Sequence, residues 1–292
     1  MTVYSHSRLQ TYETCPLKFK LKYLDKAKPE FKNTIEAFMG SMVHDTLEKL
    51  YKSLKFEKVM TVEEVLEYYN RLWKENYTED IKVVKKEYTP ENYREMGERM
   101  LKDYYKRHHP FNEDRLISCE EKVLVNFGPD GKYQLQGFID RLSSTDDGTY
   151  YIQDYKTANN LPFQEYMDKD RQLALYSIAV KERYKDCKQI KLVWHFLAFG
   201  KEIISERTDE ELEELKQKIA ALIDEIESTR DFPAKESPLC DYCEFRYLCP
   251  KFRHLYKIEK MLDYQEEDGV KLVDKYSELK QKKQEIEDQL NE

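Results

Sequence analysis

Asp140, Asp154 and Lys156 are the residues in this chain whose types and spacing point most directly to chemistry. They stand in Gly137-Phe138-Ile139-Asp140-Arg141 and, fourteen positions after Asp140, in Asp154-Tyr155-Lys156. Mg²⁺ and Mn²⁺ take oxygen ligands at short distance; one or two carboxylates commonly supply them, while water and a substrate phosphate complete the shell. A lysine beside such a site adds a point charge that orients a water or offsets charge developing on phosphorus. Two carboxylates and a lysine, each near a strand end, therefore imply metal-assisted phosphodiester hydrolysis.

The flanking pattern supplies the strands. Ile117–Phe127 tends toward alternation, Gly128-Pro129-Asp130-Gly131 is a turn signal, and Tyr133–Leu142 reads as the next strand. Asp146-Asp147-Gly148 marks a second turn and Tyr150–Asp154 a third strand. In this reading Asp140 ends the second strand and Asp154 the third, so neighbouring strand ends bring the carboxylates together. Lys156, two residues on, shares a face with Asp154 in extended chain. A helix over 169–184, an apolar strand over 190–199 and a helix over 209–228 follow. Before the strands, residues 34–109 repeat apolar positions every three or four residues, and Thr61 with Glu64 has the form of a helix start. Residues 1–25 read as a short helix opened by Ser5 or Ser7 and interrupted at Cys15-Pro16. The expected fold class is α/β: a mixed sheet flanked by helices, with an N-terminal helical insertion and a C-terminal helical tail. The expected division is 1–33 as an N-terminal segment, 34–115 helical, 116–232 core, 233–255 a cysteine segment and 256–292 an acidic tail.

These residues resemble the PD-(D/E)XK nuclease superfamily, in particular its RecB-like branch. That branch carries a Gly-x-x-x-His helix before the sheet and a Gln-x-x-x-Tyr helix after the lysine. Gly40-Ser41-Met42-Val43-His44 and Gln172-Leu173-Ala174-Leu175-Tyr176 match them. The resemblance implies that His44, Asp140, Asp154 and the Tyr155 carbonyl bind a metal, that Lys156 positions or activates water, and that Gln172 and Tyr176 shape the pocket and touch DNA. A first-strand glutamate is usual; Glu120 and Glu121 both qualify. An imidazole among oxygen ligands modestly favours Mn²⁺ over Mg²⁺. Gln153 stands where the family name has proline.

Cys240-x2-Cys243-x5-Cys249 forms a compact thiol group lacking a local fourth ligand, and Cys15 is the candidate from the other end of the chain. Four thiolates suit tetrahedral zinc or a 4Fe-4S cluster. One early and three late cysteines resemble the 4Fe-4S staple of AddB-type and CRISPR-associated RecB-like exonucleases, which implies an iron–sulfur cluster in a structural role. Cys119 and Cys187 read as plain thiols.

Composition is compatible with these readings. With 292 residues, 40% apolar and 36% charged, the chain can bury one large core. No apolar run suits a membrane span or signal peptide, which predicts a cytoplasmic protein with reduced thiols and no membrane contact. The net charge of −8 is unevenly spread: residues 1–32 carry seven Lys/Arg against three acids, and residues 255–292 seven lysines against eleven acids. Lys18, Lys20, Lys22, Arg246, Lys251 and Arg253 are candidates for a phosphate-contacting rim. Among the twenty-three tyrosines, Tyr68, Tyr69, Tyr77, Tyr88, Tyr93, Tyr104 and Tyr105 fall in the helical stretch; one or two are expected to stack on bases and the rest to pack between helices.

The function expected from all this is a Mg²⁺/Mn²⁺-dependent deoxyribonuclease, foremost an exonuclease or end-processing enzyme on single-stranded DNA with free ends. The competing reading is a catalytically silent or partner-dependent DNA-binding subunit of a helicase–nuclease, recombination or CRISPR adaptation complex. No Gly-x-x-x-x-Gly-Lys-Ser/Thr loop is present, so unwinding would fall to a helicase partner. A seven-residue rhythm at Leu272, Tyr276, Leu279, Ile286 and Leu290 makes the tail the expected docking element for a helicase, an annealing protein or CRISPR integration proteins.

Overall fold

Side-chain caps open several of the helices. A computed structural model describes residues 3–255 and 269–291, which divide into two compact units, Met1–Lys235 and Glu236–Glu292. In the first unit, strand β1 (Val3–Ser5) leads into α1 (His6–Thr14), whose N-cap Ser5 accepts from Arg8 N–H. Cys15 breaks the helix, and α2 (Pro16–Phe19) and a π-helical turn at Lys20–Leu24 follow. The insertion holds α3 (Ile35–Leu54), α4 (Val62–Asn76) and α5 (Pro90–His108), with the short strands β2 (Asn33–Thr34) and β3 (Ile81–Lys82) paired in parallel. Thr61 and Thr89 begin α4 and α5 with reciprocal capping boxes, and Pro90 takes the first helical position of α5. Such caps satisfy backbone donors that the helix itself leaves unpaired.

The long strands β4 (Arg115–Phe127), β5 (Tyr133–Ser144) and β6 (Thr149–Lys156) form an antiparallel meander. A helical turn, α6 (Gln164–Met167), precedes α7 (Gln172–Arg183), which crosses over to β7 (Gln189–Phe196), parallel to β6. The edge strand β8 (Lys201–Ser205) is antiparallel to β7, and α8 (Asp209–Ser228) closes the unit behind a capping box at Thr208.

The sheet runs β1-β5-β6-β7-β8, with β4 on the other side of β5. One face packs on α1, α7 and α8 through Leu9, Leu173, Ile178, Ile219 and Ile223. The other packs on α3, α4 and α5 through Phe38, Leu47, Val65, Tyr69 and Leu101. Each fully buried large aliphatic side chain contributes about 1.5–3 kcal/mol, so both cores hold the sheet rigid beneath the site. The sequence pattern missed β1 and β8. It also carried the 190–199 strand too far, since Leu197–Phe199 forms a 3₁₀ turn. Among the described residues, no helix is long and apolar enough to cross a membrane.

In the second unit, 3₁₀ turns at Pro238–Tyr242 and Arg246–Leu248 precede α9 (Gly269–Asn291). On α9, Tyr276, Leu279, Ile286 and Leu290 are exposed. The side chain of Leu272, the first position of the rhythm, lies outside the described residues.

Candidate active site

Strand β5 changes partners on one side, and the site forms where it does. Residues 141–144 pair with β6, whereas residues 134–136 pair with β1. The ladder to β6 stops at Arg141–Gln153, so Asp140 and Asp154 are the next residues in register, at the point where the strands part. This corrects the expectation that Asp140 and Asp154 end their strands: β5 continues to Ser144 and β6 to Lys156, and it is their pairing that ends.

The same change of partners accounts for Gly137, which lies in the gap. A Cβ there would come within 2.1 Å of the Tyr176 ring, so the tyrosine on α7 occupies the space a side chain would need. Gly137→Ala should cost about 1–3 kcal/mol by overpacking. Thermal melts of a Gly137→Ala, Tyr176→Ala cycle test this: strong coupling between the two changes is expected, and additive effects would refute the contact.

Helix α3 delivers the imidazole. A Cβ on Gly40 would lie 3.1 Å from Thr157 Oγ1, so the glycine permits a close approach to the end of β6. One turn later His44 projects from the same helix face. Its Nε2 lies 2.7 Å from the Tyr155 carbonyl oxygen and its Nδ1 3.3 Å from Asp140 Oδ2. Both partners are acceptors, a carbonyl on one side of the ring and a carboxylate on the other. Burial opposes a charge on the ring, but the Asp140 carboxylate, aided by Asp154, lifts His44 to about 9. Asp140 also accepts from Tyr155 N–H at 2.9 Å; burial would raise its carboxyl, but His44 brings it below the usual range.

Glu120, not Glu121, joins this group. Cys119 pairs with Arg141 and Glu121 with Ile139, which sets Glu120 opposite Asp140. Glu121 turns toward α7, where it pairs with Arg183, while Cys119 packs on the helical layer. The two-residue alternation thus breaks at Glu120, whose φ is +51°. Left-handed backbone costs a non-glycine residue about 1–2 kcal/mol, and here it re-aims a carboxylate. Ligand atoms of His44, Glu120 and Asp140 lie within 4.8 Å of one another. Lost hydration and the nearby Asp140 carboxylate push Glu120 up to about 7.

On the α7 side, Lys156 Nζ lies 2.8 Å from Asp154 Oδ2 and donates to Gln172 Oε1 at 3.1 Å. Gln172 Nε2 donates to Asp154 Oδ1 at 3.0 Å, which closes a ring of three side chains. Burial, with Asp140 nearby, pushes Asp154 up to about 6; burial disfavours the Lys156 charge, but Asp154 outweighs it and raises that ammonium. A cleft of about 700 Å³ opens beside the ring, lined by His6, Gln10, Gly137, Phe138, Lys156, Gln172 and Tyr176.

The structure thus brings together His44, Asp140, Asp154, Tyr155, Lys156, Gln172 and Tyr176, and adds Glu120. Donor chemistry fits a hard divalent ion: convergent carboxylates, a carbonyl and one imidazole. Behind the carboxylates, Arg141 is buried against Asp114 at 3.1 Å and lies 4.1 Å over the Tyr51 ring, while Gln153 donates to Asp114 at 3.1 Å and to Ser143 at 2.8 Å. Gln153 therefore fills the proline position of the family motif with a buried hydrogen-bonding role. No spacing rule pointed to Asp114, which lies on the loop before β4.

Other expected groups sit elsewhere. Tyr69, Tyr93 and Tyr104 are core residues of the helical layer, whereas Phe138, which lines the cleft, is exposed, as are Phe163 and Tyr166, which follow the lining residue Pro162 in sequence. Several of the proposed rim cations are paired: Lys20 with Asp25, Arg246 with Asp241 and Lys251 with Glu236. Cys119 packs against the helical layer, and burial pushes its thiol up to about 11, while Cys187 packs against the other core. In the second unit, Ser237 N–H points at Cys240 Sγ from 3.4 Å.

The PD-(D/E)XK nuclease superfamily profile matches residues 3–250. The chain belongs to that superfamily. It is 28% identical over 186 residues to an ATP-dependent helicase/deoxyribonuclease subunit of Carboxydothermus hydrogenoformans, covering 53% of this chain and 16% of that protein. The chain therefore spans only a small part of that relative's length. Among solved structures, the crystal structure of SSO0001 aligns with a TM-score of 0.36 at 18% identity, over 81% of this chain and 95% of that one.

Proposed function

We propose that this superfamily member is a Mg²⁺- or Mn²⁺-dependent deoxyribonuclease that hydrolyses single-stranded DNA from free ends. The observation that carries this reading is the convergence of His44, Glu120, Asp140 and Asp154, with Lys156, at the parting of β5 and β6. In this reading His44, Asp140, Asp154 and the Tyr155 carbonyl hold the ion, with Glu120 beside them. Bound there, a divalent ion supplies Lewis-acid charge at phosphorus and acidifies a water. Lys156, fixed between Asp154 and Gln172, orients the attacking water and offsets charge on the phosphate. Gln172 keeps the Lys156 ammonium and the Asp154 carboxylate in register, and Tyr176 walls the DNA side. Phe138, Phe163 and Tyr166 offer stacking faces, which suit unpaired bases at about 1–3 kcal/mol each without sequence preference.

The four-cysteine cluster belongs to the same proposal. The donor set of Cys15, Cys240, Cys243 and Cys249, with a backbone N–H directed at Cys240, suits thiolates and thus a 4Fe-4S cluster, with zinc the alternative. Its role is structural. Cys243→Ala should lower both metal content and melting temperature; elemental analysis showing full occupancy would remove the assignment. The exposed positions of α9 serve a partner in this reading, foremost a helicase, as the relative's name suggests, with annealing and CRISPR integration proteins the other candidates. A cytoplasmic setting, with thiols kept reduced, goes with it.

The deciding experiment compares end-labelled linear, circular and duplex DNA with Mn²⁺ or Mg²⁺, using anaerobically purified protein. Loss of linear single strands with sparing of circles is expected. Cleavage of circles would make the enzyme an endonuclease, and no cleavage by folded, metal-loaded protein would favour the partner-dependent or binding-only reading.

A further inference from the structure

On the helical-layer face of the sheet, apart from the catalytic carboxylates, side chains from three elements converge. His195 lies on β7, Glu202 on β8 and His108 at the end of α5, and their ligand atoms all fall within 4.8 Å of one another. Both imidazoles are buried, at 2% exposure for His195 and 8% for His108. Glu202 Oε1 is 3.1 Å from His195 Nδ1 and 3.3 Å from His108 Nε2. Yet neither of those nitrogens has a hydrogen-bond partner. With a carboxylate oxygen this close, that means the oxygen lies off the axis along which each nitrogen would donate.

The far nitrogens explain which way the lone pairs point. Gln153 donates its amide to Asp114 and Ser143, so its Oε1 is an acceptor, and His195 Nε2–H donates to it at 2.7 Å. That fixes the tautomer and leaves Nδ1 bare toward Glu202. His108 Nδ1 faces Glu113 Oε2 at 3.4 Å, which leaves Nε2 bare as well. Two lone pairs and a carboxylate oxygen facing one point repel one another unless a cation lies between them.

The distances fit such a cation. A tetrahedral zinc ion with nitrogen and oxygen ligands at about 2.0–2.2 Å has neighbouring ligand atoms about 3.3–3.5 Å apart, and places each off the other's lone-pair axis. The two observed separations lie at or just below that edge. Imidazole pairs favour zinc over Mg²⁺ or Mn²⁺, which suit the oxygen-rich catalytic set. Each histidine is backed through its other nitrogen by a carboxylate or amide oxygen, the support metal-bound imidazoles usually have. The residues also line a cavity of about 200 Å³, with room for a water as fourth ligand.

We propose that His108, His195 and Glu202 bind a zinc ion, separate from both the nuclease metal and the cysteine cluster. The ion ties α5 to the β7–β8 edge. Through Gln153 it also braces the strand that carries Asp154, which makes the three ligands positioning residues for the catalytic carboxylate.

The test uses the full chain, with Co²⁺ as a spectroscopic probe and Zn²⁺ for stability. Cobalt held by nitrogen and oxygen gives ligand-field bands without the intense thiolate charge-transfer absorption of a cysteine site. Glu202→Gln should lose one equivalent of such cobalt, and the melting temperature gained on adding Zn²⁺ should shrink. Asp154→Asn should keep this site and lose only the catalytic one, so failure of the nuclease reading leaves this result untouched. Equal nitrogen- and oxygen-bound cobalt in wild type and Glu202→Gln would overturn the proposal. Should Glu202→Gln not fold, the histidine ring protons of the wild type decide: Co²⁺ must shift those of His108 and His195 as well as His44, and unmoved signals from the first two overturn it.

Discussion

Asp154→Asn should reduce cleavage by about 10³-fold or more while raising the melting temperature of the metal-free protein. The first effect follows from losing a carboxylate that the proposed site uses to hold its ion, a contribution of several kcal/mol to transition-state stabilisation. The second follows from the cost of keeping that carboxylate in place. Asp154 is 4% exposed, and burial together with the neighbouring Asp140 pushes it up to about 6. The unfolded chain ionises near 3.9, so the folded state binds its proton more tightly. The penalty is present above about pH 6, fades as the pH falls through that value, and is gone below about 4. Asparagine keeps the shape and the hydrogen bond from Gln172 but turns its amide N–H toward Lys156, so the expected gain is what remains after that contact is lost. In EDTA the mutant should therefore melt higher than wild type at pH 7.5, and the difference should vanish near pH 4. For a chain of this size each kcal/mol moves the midpoint by about 2–4 °C. A mutant that loses activity and stability together would show that the carboxylate holds the fold rather than burdening it.

The largest loss of stability should come from a residue that no motif contains. Asp114 accepts from Arg141 at 3.1 Å, from Ser143 Oγ at 2.7 Å and from Gln153 at 3.1 Å. Asp114→Ala leaves the buried Arg141 without its counter-charge, and removing one partner of a buried pair costs about 3–5 kcal/mol. Cleavage should fall as well, because Arg141 and Gln153 adjoin Asp140 and Asp154 in sequence and end the β5–β6 ladder. Urea unfolding measures the first effect, and a loss below about 1 kcal/mol would mean that water replaces the carboxylate. Asp114→Asn, which keeps an acceptor but not the charge, should fall between Ala and wild type.

Much of the frame was readable from local signals. Thr61 with Glu64 marked the start of α4, Asp146-Asp147-Gly148 marked the β5–β6 turn, and the helix read over 209–228 coincides with α8. The motif residues were readable because their spacing is local even though their meeting is not. What escaped depends on pairings distant in sequence. β1 and β8 are short and acquire strand character only from β5 and β7. Choosing Glu120 over Glu121 required a positive φ that breaks alternation, and an alternating pattern carries no trace of it. His195 carries no signal of its own within the 190–199 run, because its partners Gln153, Glu202 and His108 come from three other elements. The tyrosines of the insertion read mostly as helix packing, with one or two expected to stack on bases but not singled out; burial places Tyr69 and Tyr104 in the core.

The partner switch of β5 also bears on the order of folding. Its pairing with β4 and β6 closes short loops, whereas β1 joins it through contacts such as Val3 with Gln134. Closing that long loop costs more chain entropy than closing a hairpin, and the contact gains little until the meander exists. Helix α1, which follows β1 directly, carries His6 and Gln10, which wall the cleft. A folding chain thus positions its two aspartates before it has a complete groove to receive a strand of DNA, and the capacity to grip a substrate arrives with the last part of the sheet.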